Sequence, residues 1–212
     1  MYEPSEDSFL IKKRIKDYAK GNVLDMGTGS GILAIEAAKF AEHVVACDID
    51  ADLIKNLKNR FKKEYSRKIK FQFSFPPISE GKEKIVAKKT GKRCKIQFVH
   101  SDLFDCFKKN SNLKNKNLIN KFDLIIFNPP YLPEDKREPV GWGKVATTFE
   151  PGVFEKFLAT SKKFLKKGGK ILMLLSSLTP RIAMTLIKSL YRVRFLDQRK
   201  IAWETLYVME LT

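Results

Sequence analysis

A glycine run, Gly27-Thr28-Gly29-Ser30-Gly31, separates a short apolar segment, Asn22 to Met26, from an Ala-rich stretch, Ile32 to Phe40. An apolar run of five residues reads as a buried strand, and apolar residues on every turn of the Ala-rich stretch read as a helix. The chain therefore passes from strand to helix through a turn without side chains at three of five positions. That junction restricts the fold more than any other feature, because a strand feeding a helix through a tight turn is the opening of a βαβ unit.

The alternation continues. His43 to Cys47 reads as a second strand ending at Asp48, and Asp50 to Lys63 as a helix with Leu53, Ile54, Leu57 and Phe61 on one side. Lys95 to His100 is a strand ending at Ser101-Asp102, and Phe122 to Phe127 is nearly pure apolar, as expected at the centre of a sheet covered on both faces. A long Pro- and Gly-containing loop runs to about Glu150, then a helix from Pro151 to Lys166 is expected, stopped by Gly168-Gly169, then a strand from Lys170 to Leu175. A helix around Ile182 to Leu190 and two strands, Val193 to Ile201 and Thr205 to Leu211, end the sequence. Only Ala202-Trp203-Glu204 joins those strands, so they form an antiparallel hairpin closing the sheet. Before the first strand, Ser5 can cap a helix to about Lys20, with Phe9, Leu10, Ile15 and Tyr18 forming its apolar stripe. The fold class is α/β, in one domain over residues 1–212.

Two segments interrupt this rhythm. Residues 66 to 95 alternate charge or Gln with Ile and Phe from Lys68 to Phe75, turn at Pro76-Pro77 and Gly81, and return over Lys84 to Lys89, which reads as a basic β-hairpin insertion. Lys108 to Asn120 holds five Asn and four Lys, and reads as a mobile polar loop.

Charge and composition narrow the function classes. The 212 residues are 43% hydrophobic with sixteen Phe, enough for a sizeable core, and carry a net charge of +17. Residues 55 to 95 hold fifteen Lys and Arg against three Glu, so +12 of that charge lies in about a fifth of the chain. It is either a basic face for nucleic acid or ribosome, or a solvated lysine surface. No apolar run approaches the roughly 18 residues of a membrane span, and Met1 to Lys20 is charged throughout, so neither a signal peptide nor a membrane association is expected. Three cysteines, Cys47, Cys94 and Cys106, form no CxxC pair and no even set, which points to a reducing cytoplasm rather than a disulfide framework. With two histidines, His43 and His100, no metal site is expected.

Ligands of an open α/β sheet sit beyond the carboxyl ends of its strands, so the residues ending each strand carry the chemistry. Gly27, Gly29 and Gly31 let the backbone pass close to a ligand, or form a tightly packed turn. Asp48 can accept both hydroxyl protons of a ribose. Asp102 either accepts from the amino group of an adenine, with Leu103 and Ile49 covering its two faces, or caps a Phe104 to Lys109 helix. Ile32 stands where a GxGxxG motif has its third glycine, which argues against a nicotinamide cofactor. Asn128-Pro129-Pro130-Tyr131 places a neutral amide, a stiff diproline and an aromatic ring directly after the central strand. A planar amide nitrogen is a poor nucleophile that improves when acceptors hold both its hydrogens. The Asn128 Oδ1 and the Pro129 carbonyl can be those acceptors, and Tyr131 can stack on the flat group.

Together, the glycine run, Asp48 and Asn128-Pro129-Pro130-Tyr131 resemble the class I S-adenosylmethionine-dependent methyltransferases that modify planar amino groups. Tyr2-Glu3-Pro4-Ser5-Glu6-Asp7-Ser8-Phe9 and Glu204-Thr205-Leu206 resemble, more narrowly, the HemK-like protein (N(5)-glutamine) methyltransferases. Within them the likeness is to the archaeal and eukaryotic branch that methylates the Gly-Gly-Gln glutamine of class I translation release factors. The resemblance implies a Rossmann-like, seven-stranded, mostly parallel sheet with a C-terminal antiparallel hairpin. It implies S-adenosyl-L-methionine as cofactor, with Ser8 and the glycine-loop residues Gly27, Thr28, Gly29 and Gly31 near the methionine moiety, and Asp25 as a further cofactor-binding residue. Asp48 would lie at the ribose and Asp102 with Leu103 at the adenine, Ile49 being a further cofactor-binding residue and Asn128 being shared with the catalytic element Asn128, Pro129, Pro130 and Tyr131. The same motif occurs in methyltransferases of exocyclic base amines in RNA or DNA, which is the alternative function, and a basic binding module that keeps only the fold is a third.

The family commonly carries a Gly-Gly segment where this chain has Trp142-Gly143-Lys144-Val145-Ala146-Thr147-Thr148-Phe149-Glu150. Members of the branch pair with a small zinc-binding activator subunit along an edge strand, and the alternating Phe71, Phe73 and Phe75 are either such an edge or ordinary hairpin packing.

Overall fold

A computed structural model describes residues 6–68, 84–89, 92–107, 122–133 and 147–212. Several expected features lie outside those residues: the Tyr2 to Ser5 motif with its capping serine, the strand with Phe71, Phe73 and Phe75, the Pro76-Pro77 turn, the Lys108 to Asn120 loop and Trp142 to Ala146.

The elements follow the expected alternation. They are α1 (Glu6–Tyr18), β1 (Asn22–Met26), α2 (Ile32–Ala37), β2 (His43–Asp48), α3 (Ala51–Lys68), β3 (Lys84–Lys89), β4 (Lys92–His100) and β5 (Phe122–Phe127). Then come α4 (Pro151–Ser161), β6 (Leu165–Ser176), α5 (Arg181–Leu190), β7 (Val193–Ile201) and β8 (Glu204–Leu211). One sheet orders them β3-β4-β2-β1-β5-β6-β8-β7. The five strands β4, β2, β1, β5 and β6 pair in parallel, and β8 and β7 add to the β6 side as the expected antiparallel hairpin. These are the seven strands that the resemblance implies, and β3 adds an antiparallel eighth strand beside β4.

Alternating side chains of the central strands feed two cores. Val23, Leu124 and Ile126 face the side covered by α1, α2 and α3, with Leu10, Ile15, Leu57 and Phe61. Leu24, Ile125 and Phe127 face the side covered by α4 and α5, with Phe154, Phe157 and Ile187. A parallel strand buried on both faces must be apolar on both faces, which is why Phe122 to Phe127 reads as a continuous run.

The element boundaries depart from the sequence expectations in four places. Helix α3 runs to Lys68, five residues beyond the expected end, since nothing between Lys63 and Lys68 breaks a helix. The arm of the insertion expected from Lys68 therefore begins as helix, and the hairpin that the structure describes is β3 with β4, the latter starting at Lys92. Helix α2 is regular only to Ala37, and turns rather than helix carry the chain to Phe40. Gly168-Gly169 does not stop a helix: α4 ends at Ser161, a 3-10 turn spans Lys162–Phe164, and the glycines lie inside β6. There the β5–β6 register jumps from Phe122↔Leu165 to Leu124↔Lys170. A Cβ on Gly169 would stand 2.8 Å from the Phe122 carbonyl oxygen, so the pair marks a bulge where two backbones approach.

Strand order reverses between β1 and β5, with β2 and β4 on one side and β6 on the other. The helices after β1 and after β5 thus leave in opposite directions and open a crevice at the carboxyl ends of those two strands. The glycine run follows β1 and Asn128 follows β5, so topology alone brings the two most distinctive sequence elements to one crevice.

Candidate active site

The glycine loop takes the conformation that only glycine adopts without strain. Gly27, Gly29 and Gly31 have φ of 64°, 50° and 80°, and a Cβ on Gly31 would stand 3.3 Å from Leu57 Cδ2. The Gly29 amide donates to Asp48 Oδ2 (2.9 Å) and the Asp50 amide to Asp48 Oδ1 (3.1 Å), so the carboxylate ending β2 is held beside the loop ending β1. Asp25 lies beneath the loop, fully buried. Its Oδ2 accepts from the Thr28 hydroxyl (2.6 Å) and the Ala34 amide (3.0 Å).

Burial pushes the Asp25 carboxyl up to about 7, against the Thr28 and Ala34 donors that lower it, and the neighbouring Asp48 adds to the rise. The folded protein thus keeps a proton that the unfolded chain releases near its ordinary carboxylate value of about 3.9. Stability of the ligand-free protein is therefore expected to fall as pH rises from about 4 to about 7 and to level off above that. Asp25→Asn keeps an acceptor for Thr28 and Ala34 and should flatten the slope, as read from urea midpoints across that window. An unchanged slope would place the titration elsewhere.

Asn128 leaves β5 half-buried, followed by buried Pro129 and half-buried Pro130 and Tyr131. Its Nδ2 donates to Asp7 Oδ2 (3.0 Å), and the Tyr131 hydroxyl reaches the same oxygen (3.3 Å). Asp7 Oδ1 accepts from the Ser8 amide (2.5 Å), and both Asp7 and Ser8 are buried. The first turn of α1 is in this way fastened to the element after β5. One residue further on, Leu132 accepts from the Phe149 amide (2.7 Å) and donates to the Thr147 carbonyl (2.9 Å), so the long loop returns to the point where it began.

Asp7 is the site residue that the sequence reading did not single out. The signal was present: an acid in the first turn of an amphipathic helix, yet on the apolar side with Leu10 and Ile11, where a solvated dipole-pairing acid is not expected.

Three buried side-chain polar atoms among the described residues have no hydrogen-bond partner: Arg14 Nε, Asp25 Oδ1 and Asn128 Oδ1. Asp25 lies in β1 and Asn128 directly follows β5, the adjacent strands that flank the crevice. An unpartnered buried acceptor costs about 1–3 kcal/mol, so these two are the acceptors beside the crevice with capacity for further donors.

The adenine side differs from expectation in detail. The helix expected from Phe104 is a single 3-10 turn, Asp105–Phe107. Asp102 does not cap it with its side chain: the Ser101 hydroxyl accepts from the Cys106 amide (3.0 Å) and donates to the Leu103 carbonyl (2.8 Å). The Asp102 carboxylate instead pairs with Lys156 on α4 (2.6 Å), both about half exposed. Leu103 has φ of 45°, a strained backbone for a leucine, and is buried. Ile49, after Asp48, is 64% exposed, a large apolar surface at the rim. His43 and His100 contact Asn22 Oδ1 and the Ile49 carbonyl. Among the described residues no three His, Cys, Asp or Glu gather as metal ligands, and no helix is long and apolar enough to cross a membrane.

Comparison with known proteins places this geometry in context. The family of ribosomal protein L11 methyltransferases (PrmA) matches residues 10–86. A protein of Methanocaldococcus jannaschii described as a protein N5-glutamine methyltransferase is 29% identical over 217 residues, covering 99% of this chain and 90% of that protein. A release factor glutamine methyltransferase of Leptospira interrogans is 29% identical over 200 residues, covering 86% of this chain and 56% of that protein. The solved Mtq2-Trm112 complex of E. cuniculi, which methylates the translation termination factor eRF1, superposes with a TM-score of 0.58 at 20% identity. It covers 99% of this chain and 96% of its own. At that identity the superposition shows a shared fold.

Proposed function

We propose that this HemK-like class I S-adenosylmethionine-dependent methyltransferase transfers a methyl group to the side-chain amide nitrogen of a protein glutamine, that of the Gly-Gly-Gln motif of a class I translation release factor. The observation that carries the reading is the fixed amide of Asn128. Its Nδ2 is committed to Asp7, so its unpartnered Oδ1 is presented as an acceptor, which suits a substrate that is itself an amide with two hydrogens to donate. The whole-length likeness to a glutamine methyltransferase supports the same acceptor.

The residues fit S-adenosylmethionine. The glycine loop and Ser8 would border its methionine portion, and the ammonium would favour the ionised form of Asp25, whose Oδ1 is then a free acceptor. Asp48 would take the ribose, and Asp102 the adenine between Leu103 and Ile49, Asp102 exchanging or sharing its contact with Lys156. Bound there, the cofactor supplies an electrophilic methyl group on a sulfonium, so the protein has no nucleophile of its own to provide. Asn128 Oδ1 and the Pro129 carbonyl hold the two amide hydrogens and turn the nitrogen lone pair out of conjugation, while Tyr131 flanks the flat group. Positioning and exclusion of water then supply most of the acceleration. The chain acts as one methyltransferase domain. The Mtq2-Trm112 assembly supports a small activator subunit as partner, and the concentration of basic residues between 55 and 95 supports a contact with the release factor or ribosome.

Asp7 serves as a positioning residue. Asp7→Ala frees the Asn128 amide to rotate, and loss of one charge-assisted hydrogen bond is expected to lower kcat about tenfold or more with cofactor affinity unchanged. Asp7→Asn, which keeps an acceptor for Asn128 Nδ2, should recover part of the loss. Equal effects of both variants on cofactor binding would make Asp7 a general prop of the fold. The substrate itself is tested by incubating the protein with labelled S-adenosylmethionine and a class I release factor. Label should enter the wild-type factor and not a factor whose Gly-Gly-Gln glutamine is replaced. Transfer that survives the replacement, or that vanishes on nuclease treatment, overturns the reading and favours a base amine.

A further inference from the structure

Cys47 and Cys106 lie at the cofactor end of the sheet, and the proposed transfer uses neither. Cys47 is in β2 one residue before Asp48, and Cys106 is in the 3-10 turn that follows Asp102 and Leu103. Fifty-nine residues apart in sequence, their Sγ atoms stand 3.9 Å apart. They differ in access: Cys47 is buried, and so is Cys94, but Cys106 is partly open to solvent. They differ in acidity too. Donation to Cys106 and burial push the Cys47 thiol well up, whereas accepting from Cys47 holds the Cys106 thiol below its ordinary value. A more acidic, accessible thiol touching a buried one is the arrangement of an attacking cysteine beside its resolving partner.

We propose that Cys47 and Cys106 form a modification site, a thiol pair that hydrogen peroxide converts to an intramolecular disulfide, and that the disulfide weakens cofactor binding at the ribose and adenine end of the site. The Cys106 thiolate attacks one peroxide oxygen; the S–O bond forms as the O–O bond breaks, and the departing hydroxide takes a proton to leave as water. The Cys47 sulfur then attacks the sulfenic sulfur. The S–S bond forms, the S–O bond breaks, and the hydroxyl leaves with the Cys47 proton as a second water. Two thiols and one peroxide give one disulfide and two waters.

A disulfide needs its sulfurs at about 2.05 Å, so the pair must close by about 1.9 Å. The strand cannot supply that movement, because Cys47 is paired on both sides, with Met26 of β1 and Val99 of β4. The 3-10 turn supplies it. That turn is tied through Ser101 to the Leu103 carbonyl, so Leu103 and Asp102 shift with Cys106. The effect on affinity, though not the crosslink, rests on the cofactor reading above.

The test treats the reduced full-length protein with hydrogen peroxide, blocks remaining thiols by alkylation and maps the cysteines after non-reducing digestion. The expected result is a Cys47–Cys106 crosslink with Cys94 alkylated, S-adenosylmethionine affinity at least tenfold weaker by calorimetry, and both changes reversed by dithiothreitol. Cys106→Ser should give no crosslink and keep its affinity after peroxide. Oxidation that stops at a sulfinic acid on Cys106 with Cys47 still alkylated overturns the proposal, and a crosslink that leaves affinity unchanged overturns its second half. Failure of the reduced protein to bind S-adenosylmethionine at all would instead count against the cofactor reading, and the crosslink would still be read by mass.

Discussion

Asn128→Ala is expected to lower turnover by about two to three orders of magnitude, the scale seen when one hydrogen-bonding group aimed at the transition state is removed. The size follows from what the side chain does in place. Its Nδ2 is bonded to Asp7 and its Oδ1 is buried without a partner, so the amide is already oriented before substrate arrives. Removing it takes away an acceptor needed when the substrate nitrogen gives up its conjugation, and little that the cofactor needs. Cofactor affinity should therefore stay within a few fold by calorimetry while kcat collapses. A parallel loss of affinity would show that Asn128 mainly shapes the cofactor pocket, and the catalytic role assigned to it would fall.

Asp48→Ala should do the reverse. A carboxylate accepting from ribose hydroxyls makes hydrogen bonds to a charged group, worth about 1.5–3 kcal/mol, so the cofactor Kd is expected to rise by about ten- to a hundredfold. Asp48 also accepts from the Gly29 and Asp50 amides, and its loss loosens the glycine loop it anchors. Asp48→Asn separates the two effects, since a neutral amide oxygen can still hold the loop but accepts more weakly from the ribose. At saturating cofactor the kcat of either variant should remain near that of the parent. Undiminished affinity in Asp48→Ala would remove the ribose from this end of β2.

The placement of the candidate residues was legible in the sequence wherever a strand ended in a distinctive residue type. The glycine run, Asp48 and Asn128-Pro129-Pro130-Tyr131 each carry their own signal, and alternation of strand and helix sets the sheet that collects them. What the sequence hid are pairings between distant segments. Asp7 meets Asn128 across 121 residues, Lys156 meets Asp102 across 54 and Cys47 meets Cys106 across 59, and periodicity has no bearing on such contacts. Gly168-Gly169 failed for a related reason: glycine serves equally to end a helix and to admit a close backbone, and only the Phe122 carbonyl beside Gly169 decides between them.

Part of the basic segment of residues 55–95 falls on described strands. In the backbone register of β3 and β4, Lys88 pairs with Arg93 and Lys89 with Lys92. That ribbon lies at one edge of the sheet, and in the proposed reading the basic residues of 55–95 bear on docking, whereas the reaction is assigned to the ends of β1, β2, β4 and β5.

The measurement that bears most directly on the central claim is peptide mapping of a class I release factor after incubation with this protein and S-adenosylmethionine. The account predicts one added methyl group, on the side-chain nitrogen of the Gly-Gly-Gln glutamine, lost when Asn128→Ala replaces the parent protein. A methyl group on another residue, or on nucleic acid carried into the reaction with the factor left unmodified, would contradict it.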